Sequence, residues 1–308
     1  MYNTSQVAVI GAAILDINAK SYSTIKPSDS NPGRVALSSG GVARNIAENL
    51  TNLNIKVSLV AAFGDDIFGN ALLVDCNQKG IDMSYCEIVP GGVTPTYVTV
   101  LDSNGKMDVA IVGETSRMSM EHIKKHHSTI SKSSIIVVDT NLNQDEIEEI
   151  VDMFKGKDIY ADTVSLTKAA RVKDRIGCFH TIKMNRREAQ YLSGYQISDD
   201  KSLKKAAKYF LDKGAKRTII YMGSEGIYYS TKTEELRHKP TSTKPVNAAG
   251  AGNALMSGII YCTLKNKSAE YTVGFSQAMA YMTLMSEGAV NREITLEMID
   301  RYNMWRNY

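Results

Sequence analysis

Short runs of apolar and β-branched residues alternate along the chain with longer segments in which apolar residues recur every three or four positions. The first pattern is typical of buried strands and the second of amphipathic helices. The pattern predicts strands at residues 7–10, 57–61, 135–139, 158–161, 179–183, 218–221 and 227–229. Strands that alternate with helices in this way indicate an α/β fold built on a mostly parallel sheet.

Two of the predicted helices begin directly after glycines. One follows Gly40 and Gly41, and its apolar residues share one face: Val42, Ile46, Ala47, Leu50 and Leu53. The other spans 250–264 and begins in a loop of small residues, where no bulky side chain covers the unpaired first-turn N–H groups. That loop is a candidate phosphate site, although a single loop of this kind more often serves only the packing of a helix start.

Two segments interrupt the alternation of strands and helices. Residues 18–39 are polar and rich in turn-forming residues, and residues 96–112 have the pattern of a hairpin with its turn at 102–106. We expect one α/β domain over residues 1–308, with these two inserted segments forming a small β lid over one edge of the body.

The composition is that of a globular protein, with 43% hydrophobic and 22% charged residues among 308. Disordered, collagen-like and coiled-coil chains are therefore excluded. A formal net charge of +3 provides no extended positive surface for nucleic acid or an anionic membrane. A phosphate site in this chain must be local. No apolar run approaches the roughly 20 residues that a membrane-spanning helix needs.

The cysteines and the first apolar run bear on the cellular compartment. Four scattered cysteines, Cys76, Cys86, Cys178 and Cys262, form no CxxC pair, so we interpret them as reduced thiols. The run 7–15 has the length of a signal-peptide core, but no basic segment precedes it. We interpret that run as a buried first strand followed by a tight turn, and expect a cytoplasmic protein.

Polar groups suited to hydroxyl recognition follow the first strand. Asp16 is expected directly after it, and Gly40, Gly41 and Asn45 lie at the start of the next helix. A carboxylate and an amide beside exposed backbone can bind the hydroxyls of a polyhydroxylated substrate. Taken singly, Asp16 is more often a cap at the end of a strand, and Asn45 is more often a cap or a solvated residue. Arg44 is expected to point away from the pocket, which favours a neutral nucleoside or sugar.

A second group of polar residues lies between the other predicted strands. Asn185 and Glu188 would share one helix face at i, i+3 and could hold a water-bridged Mg²⁺ beside a triphosphate, although such a pair is usually a helix cap. Gly223 and Gly226 precede another strand, where glycines often form a hairpin turn. The occurrence of all these polar residues and glycine loops in one chain is much less probable by chance than the occurrence of any one of them.

In this order, the motifs resemble those of the ribokinase-like carbohydrate kinases, the PfkB family. They are Asp16, Gly40-Gly41-Val42-Ala43-Arg44-Asn45, Phe63-Gly64-Asp65-Asp66, Asn185-x-x-Glu188, Gly223-x-x-Gly226 and Gly250-Ala251-Gly252. Within the family, the sequence is most similar to the pseudouridine kinase branch. The narrower resemblance is carried by residues 40–50, 161–170, 180–189 and 246–255, including Asn247, where other branches commonly have an acidic residue.

The resemblance implies a three-layer α/β body with a β lid, and an ATP- and Mg²⁺-dependent kinase acting on a small hydroxylated substrate. By position, Asp16, Gly40, Gly41 and Asn45 would bind that substrate. The implied anion hole comprises Gly250, Ala251 and Gly252, and the implied ATP contacts are Asn185, Gly223, Gly226 and Gly252. Glu188 would serve Mg²⁺ through water. Lids of this family often pair across a dimer, which implies a homodimer.

One position departs from the family pattern. The residue after the Gly-Ala-Gly loop is an aspartate in these kinases and acts as the general base, whereas this chain has Asn253. A neutral amide cannot accept the proton of an attacking hydroxyl. Three explanations remain open: an engineered variant, a natural pseudokinase, or partial base function supplied by Asp16 or a water molecule.

The remaining alternatives concern the substrate and the function class. Pseudouridine is favoured by the resemblance alone, and ribose, adenosine or another nucleoside or sugar remain alternatives. A non-catalytic nucleoside-binding protein is the other serious interpretation because of Asn253. A dinucleotide-dependent oxidoreductase would require a GxGxxG pattern after the first strand, which residues 11–16 lack.

Overall fold

The computed structural model describes residues 6–113, 116–239 and 245–304, with side chains as far as residue 302. Its strands, in chain order, are β1 (Val7–Ile10), β2 (Ile14–Ser21), β3 (Gly33–Gly40), β4 (Val57–Val60), β5 (Ala62–Gly64), β6 (Glu87–Val89), β7 (Thr96–Leu101), β8 (Met107–Val112), β9 (Ile135–Asp139), β10 (Asp158–Asp162), β11 (Thr181–Asn185), β12 (Arg217–Tyr221), β13 (Ile227–Thr231) and β14 (Glu235–His238). Its α-helices are α1 (Val42–Asn52), α2 (Ile67–Gln78), α3 (Met120–Ile130), α4 (Gln144–Met153), α5 (Leu166–Ala169), α6 (Arg186–Ser193), α7 (Asp200–Asp212), α8 (Ala251–Leu264), α9 (Ala269–Leu284) and α10 (Leu296–Met304).

Eight strands form the main sheet in the order β14-β13-β12-β11-β10-β9-β1-β4. The strands from β12 to β4 are parallel, and β13 and β14 add an antiparallel edge. Two apolar clusters cover the two faces of the sheet. One includes residues of α1, α2, α8 and α9, and the other includes residues of α3, α4, α6 and α7. The predicted three-layer α/β fold is confirmed.

A separate four-stranded sheet, in the order β3-β2-β7-β8, is built from the two segments that interrupt the alternation; we call it the small sheet. The hairpin 96–112 has the predicted form. Residues 18–39 were predicted only as a turn-rich stretch, but they contribute the second half of β2 and all of β3 except its last residue. These strands could not be recognised from the sequence because the segment is polar, and β3 is exposed over most of its length.

The first apolar run also differs from its prediction. It is divided between β1 and β2, and Asp16 lies within β2 rather than directly after the first strand. The chain leaves the main sheet at Gly11, which lies so close to Asp139 that a Cβ atom would come within 2.5 Å of the carboxyl carbon. Asp16 consequently belongs to the small sheet.

Helix α1 is buried far beyond the single apolar face that its pattern indicates. Every residue from Ala43 to Leu50 is buried, including charged Arg44 and Glu48, because α1 packs against the main sheet on one side and α8 on another. The carboxyl ends of the parallel strands meet the beginnings of α1, α6 and α8, and this edge carries the candidate site. No helix in the described ranges is both long and apolar enough to cross a bilayer.

Candidate active site

The loop before α8 is held in a conformation that only glycine adopts easily. Gly250 has φ 80°, and a Cβ atom there would overlap the carbonyl oxygen of Ala289. Asn247 ties the same loop to the segment after α9, because its side-chain amide donates to the carbonyl of Glu287 at 2.7 Å. Ala251 and Gly252 follow in the first turn of α8, where backbone N–H groups have no partner within the helix and can bind an anion.

A buried cation lies beside this turn. Lys183, on β11, donates from Nζ to the two carboxylate oxygens of Asp162 at 2.9 and 3.1 Å. The same nitrogen lies 2.9 Å from the point that a Cβ atom of Gly252 would occupy. Lys183 is not among the site residues predicted from the sequence. A lysine at the end of a predicted strand, two residues before Asn185, was the available signal.

Asn253 follows in the first turn of α8 and is 9% exposed. Its backbone N–H donates to the carbonyl of Gly250 at 2.9 Å, which closes the turn. Within the described part of the chain, no hydrogen bond to its side-chain amide is recorded. That amide is therefore available to a ligand, as a donor through its N–H₂ group and an acceptor through its oxygen, but it has no basic site.

The predicted hydroxyl site is assembled around Asp16. This residue pairs with Ser38 on β3 and Tyr97 on β7, and Gly40 lies so close that a Cβ atom there would overlap its carboxylate. Burial raises the pKa of Asp16 to about 6, and the positive charge of Arg44 partly opposes the rise. Asp16 is consequently ionised at neutral pH and can accept hydrogen bonds from hydroxyls.

Gly41 and Asn45 approach the same place from the start of α1. Gly41 has φ 95°, and a Cβ atom there would overlap the carbonyl oxygen of Ala12. Asn45 is 5% exposed, and its Oδ1 accepts a hydrogen bond from Nη1 of Arg44 at 2.9 Å. The structure therefore brings Gly40, Gly41 and Asn45 to one site, with Arg44 beneath it rather than in it.

A carboxylate outside the predicted site residues, that of Asp139, connects the elements around this site. Asp139, at the end of β9, is fully buried and accepts hydrogen bonds from the backbone N–H groups of Ala43 at 2.8 Å, Ala12 at 3.2 Å and Asn141 at 2.8 Å. Burial raises the pKa of Asp139 to about 6. It joins β9, the β1–β2 connection and α1, and the end of a predicted strand was its only signal.

Asn185 and Glu188 form the N-terminal cap of α6. Asn185 Oδ1 accepts from the Glu188 N–H at 3.0 Å, and Glu188 Oε2 accepts from the Asn185 N–H at 2.8 Å and from Thr163 Oγ1 at 2.6 Å. Among the described residues, one donor to Glu188 Oε1 is recorded, Asn185 Nδ2 at 2.5 Å. A second lone pair of Oε1 is therefore available to a ligand.

Gly223 and Gly226 form the turn between β12 and β13, next to this cap. The N–H of Met222 donates to the carbonyl of Gly226 at 2.7 Å, and both glycines have positive φ. Arg186, the first residue of α6, forms an ion pair with Glu225 in the turn, with 2.6 Å between Nη2 and Oε2. The turn and the α6 cap are thus neighbours at one end of the sheet edge.

This edge combines two sites of opposite preference. Around Asp16 and Asn45 it can bind hydroxyl groups, and around the α8 start and Lys183 it can bind an anion. A hydroxyl site and a phosphate site on one edge are the two parts that a phosphoryl transfer to an alcohol requires.

Comparisons with known proteins show which family the chain is similar to. The family described as pfkB family carbohydrate kinase matches residues 4–295. Pseudouridine kinase of Escherichia coli (strain K12) is 34% identical over 299 residues, which cover 96% of each chain. The solved structure of a Clostridium perfringens protein is 30% identical over 99% of this chain and 97% of that one, with a TM-score of 0.89. A ribokinase of Arabidopsis thaliana, solved with ribose and ATP, shares the fold at 17% identity over 97% of this chain and 99% of that one, with a TM-score of 0.83. The chain therefore belongs to the pfkB family of carbohydrate kinases.

Proposed function

We propose that this protein transfers the γ-phosphoryl group of ATP to the 5′-hydroxyl of a nucleoside, with pseudouridine as the first candidate. The observation that carries the proposal is the 34% identity to a pseudouridine kinase across 96% of both chains. The hydroxyl site at Asp16 and Asn45 and the anion site at α8 support the reaction type. Ribose, adenosine and other nucleosides or sugars are the alternative acceptors.

In this proposal the residues divide into three groups. Asp16, Gly40, Gly41 and Asn45 bind the hydroxyls of the substrate. The N–H groups of Gly250, Ala251 and Gly252 form the anion hole that stabilises the charge on the transferred group. The third group borders the ATP phosphates and comprises Asn185, Gly223, Gly226, Gly252 and the Lys183 ammonium.

The chemistry of these donors fits a nucleotide and its metal ion. Lys183 and the first turn of α8 offer positive charge to phosphate oxygens, and the lone pair of Glu188 Oε1 suits a water molecule on Mg²⁺. Bound Mg²⁺ would neutralise part of the charge on the β- and γ-phosphates. The ion pair with Asp162 holds the Lys183 side chain in place.

Asn253 determines how fast such a transfer can be. Its amide can orient the attacking hydroxyl by a hydrogen bond but cannot remove the proton, and a positioned base contributes about 10²- to 10⁴-fold in rate. We infer a slow kinase that retains substrate binding. A nucleoside-binding protein without transfer is the second candidate, and Asn253 is the observation that favours it.

A product assay separates these functions. Excess protein is incubated with ATP, Mg²⁺ and, in turn, pseudouridine, uridine, adenosine and ribose, and the phosphorylated product is followed by chromatography. Slow formation of pseudouridine 5′-phosphate, faster than any other product, would support the proposal. Calorimetric binding of pseudouridine without any product would favour the binding protein, and a lack of both would overturn the two candidates.

We further propose that the small sheet acts as the substrate lid and as the interface of a homodimer. Residues paired across neighbouring strands point to the same face. One face carries Asp16 and Asn18, and the central rows of the other carry only aliphatic residues: Ile17, Ala19, Val35, Leu37, Val98, Val100, Val109 and Ile111. Val35, Leu37 and Ile111 are more than half exposed, which favours a covering partner.

We also propose that the protein is located in the cytoplasm. ATP as the co-substrate points to that compartment, and the free thiols of Cys76, Cys86, Cys178 and Cys262 suit a reducing environment.

A further inference from the structure

The side chain of Arg44 lies beneath the hydroxyl site and is 2% exposed. Its Nη1 contacts Asn45 Oδ1 at 2.9 Å and Glu48 Oε2 at 2.5 Å, and its Nη2 contacts Asp75 Oδ2 at 3.2 Å. The guanidinium group is therefore fixed from three sides by residues of α1 and α2. A planar group held in this way cannot turn without breaking buried ion pairs.

The chemistry of arginine determines which end of the Asn45 amide faces it. A guanidinium group has five N–H donors and no acceptor, so only the amide oxygen can form the observed hydrogen bond. The N–H₂ group of Asn45 must then point away from Arg44. In the described ranges, no hydrogen bond from Asn45 Nδ2 to the protein is recorded, so its donors are available to a ligand.

We propose that Arg44 is a positioning residue that makes Asn45 a hydrogen-bond donor toward the substrate, opposite the acceptor Asp16. This inference rests on the proposed function. The site then requires neighbouring hydroxyls, of which one oxygen accepts from Asn45 while a hydroxyl hydrogen is donated to Asp16. A vicinal diol meets this requirement, and a substrate that has only acceptors or only donors there does not.

Arg44 also acts on the charge of Asp16. Burial raises the pKa of that carboxyl, and the charge of Arg44 lowers it. The other neighbours of Asp16 in the small sheet are Ser38 and Tyr97, and neither is a basic residue that could place a second positive charge beside the carboxylate. Removal of Arg44 would therefore leave Asp16 protonated at a higher pH than in the wild type.

The charges behind Arg44 keep it in place without contacting the substrate. Glu48 Oε1 lies 2.7 Å from Nε of Arg292 and 3.6 Å from Nζ of Lys79, and Lys79 also pairs with Asp75. Glu48 thus retains two cationic partners when Arg44 is replaced. Arg292 is 62% exposed, which makes it a suitable control position in the same network.

The test is titration calorimetry of Arg44→Met, Arg292→Met and the wild type with pseudouridine and, separately, with ATP and Mg²⁺, between pH 5 and pH 8. For Arg44→Met we expect at least tenfold weaker pseudouridine binding, an ATP affinity within twofold of the wild type, and an acid-side loss of binding that begins at higher pH. Arg292→Met should match the wild type for both ligands. Unchanged pseudouridine binding by Arg44→Met, or an equal loss of both affinities, would overturn the inference.

A second variant keeps the inference testable if Arg44→Met does not fold. Asn45→Asp has nearly the same shape and retains a partner for Arg44, but an oxygen replaces the N–H₂ donor. We expect at least tenfold weaker pseudouridine binding with unchanged ATP binding, and unchanged pseudouridine binding would show that Asn45 does not donate. If the wild type itself binds no nucleoside, the proposed function fails first, which is distinct from equal binding by wild type and variants.

Discussion

Lys183 Nζ lies 2.9 Å from the point at which residue 252 would carry a Cβ atom, so a glycine at this position allows a buried cation to reach the start of α8. Gly250, two residues earlier, is required for another reason. Its φ is 80°, and a Cβ atom would overlap the backbone carbonyl of Ala289. Gly252 leaves room for the flexible end of the Lys183 side chain, whereas Gly250 leaves room for the rigid backbone of Ala289.

The two glycines should therefore respond differently to the same substitution. In Gly252→Ala, the methyl group displaces the end of the Lys183 side chain, and we expect about tenfold weaker ATP binding, the equivalent of roughly 1.4 kcal/mol. The midpoint of urea unfolding should change little. Calorimetry with ATP and Mg²⁺ measures the first effect, and unchanged affinity would contradict a role for Lys183 beside the phosphates.

Gly250→Ala should instead destabilise the fold. A non-glycine residue in this conformation costs about 1–3 kcal/mol, and the backbone of Ala289 would also have to move. We expect a loss of at least about 2 kcal/mol in the free energy of unfolding, measured by urea denaturation. Equal stability of Gly250→Ala and Gly252→Ala would show that the loop adapts more easily than its geometry indicates.

The main sheet could be predicted because its strands are continuous apolar runs. β1 and β9 have the predicted bounds, whereas β11 begins and ends two residues later than predicted. β5 and β6 were missed because they have only three residues each, and β14 was missed because it is polar and none of its residues is fully buried. Four-residue strands such as β1 could be predicted because all of their residues are apolar and buried.

The candidate site was predictable where a motif is contiguous. The loop 250–253 and the α6 cap could be identified from neighbouring residues, whereas Lys183 with Asp162 and Asp139 with Ala43 depend on residues far apart in the chain. Their pairing arises from the parallel order of β9, β10 and β11, which brings the strand ends together. Nothing in a single strand shows which polar residue will find a partner across that edge.

Substrate affinity should depend on pH through Asp16. Its pKa is raised to about 6, and the ionised carboxylate is a stronger hydrogen-bond acceptor for a substrate hydroxyl than the protonated carboxyl group. Affinity should therefore be constant above about pH 7 and fall as the pH decreases through 6, with about tenfold weaker binding at pH 5. Calorimetric titration of pseudouridine over this range measures the effect.

Asp16→Asn is the control for this pH dependence, because Asp139 also titrates near pH 6 and holds the start of α1. The variant should bind more weakly at pH 7.5 and lose the decline through pH 6. A decline that persists in Asp16→Asn would assign the titration to Asp139 instead.

Replacement of Glu188 should raise the Mg²⁺ concentration that ATP binding requires by more than the loss of a helix cap would. Glu188→Gln removes the charge beside the proposed metal position and weakens the α6 cap, so we expect a loss of about 1 kcal/mol in stability and at least tenfold more Mg²⁺ for half-maximal ATP binding. Glu146→Gln is the matched control, because Glu146 occupies the same place in the cap of α4. An equal shift in the Mg²⁺ requirement of both variants would exclude the metal role.

The aliphatic face of the small sheet should control the oligomeric state. Leu37→Glu places a negative charge in the centre of this face. Burial of that charge in a dimer interface is unfavourable when no basic group pairs with it. We expect the variant to sediment as a monomer at concentrations where the wild type is a dimer. Ala36→Glu places the same charge on the next residue of β3, on the opposite face, and should remain dimeric. A monomeric wild type would contradict the proposed interface.

Asn253→Asp should convert a slow kinase into a faster one. The carboxylate would lie in the first turn of α8, where the helix dipole favours negative charge and Lys183 is close to the neighbouring residue, so the fold should tolerate it. It could then accept the proton of the attacking hydroxyl, and we expect pseudouridine phosphorylation at least tenfold faster than in the wild type. Pseudouridine affinity should stay within about threefold of the wild-type value, because Asp16 and Asn45 are untouched.

Asn253→Ala, with neither amide nor carboxylate, is the control and should not exceed the wild-type rate. Equal turnover of Asn253→Asp and the wild type would show that proton removal at position 253 does not limit the reaction.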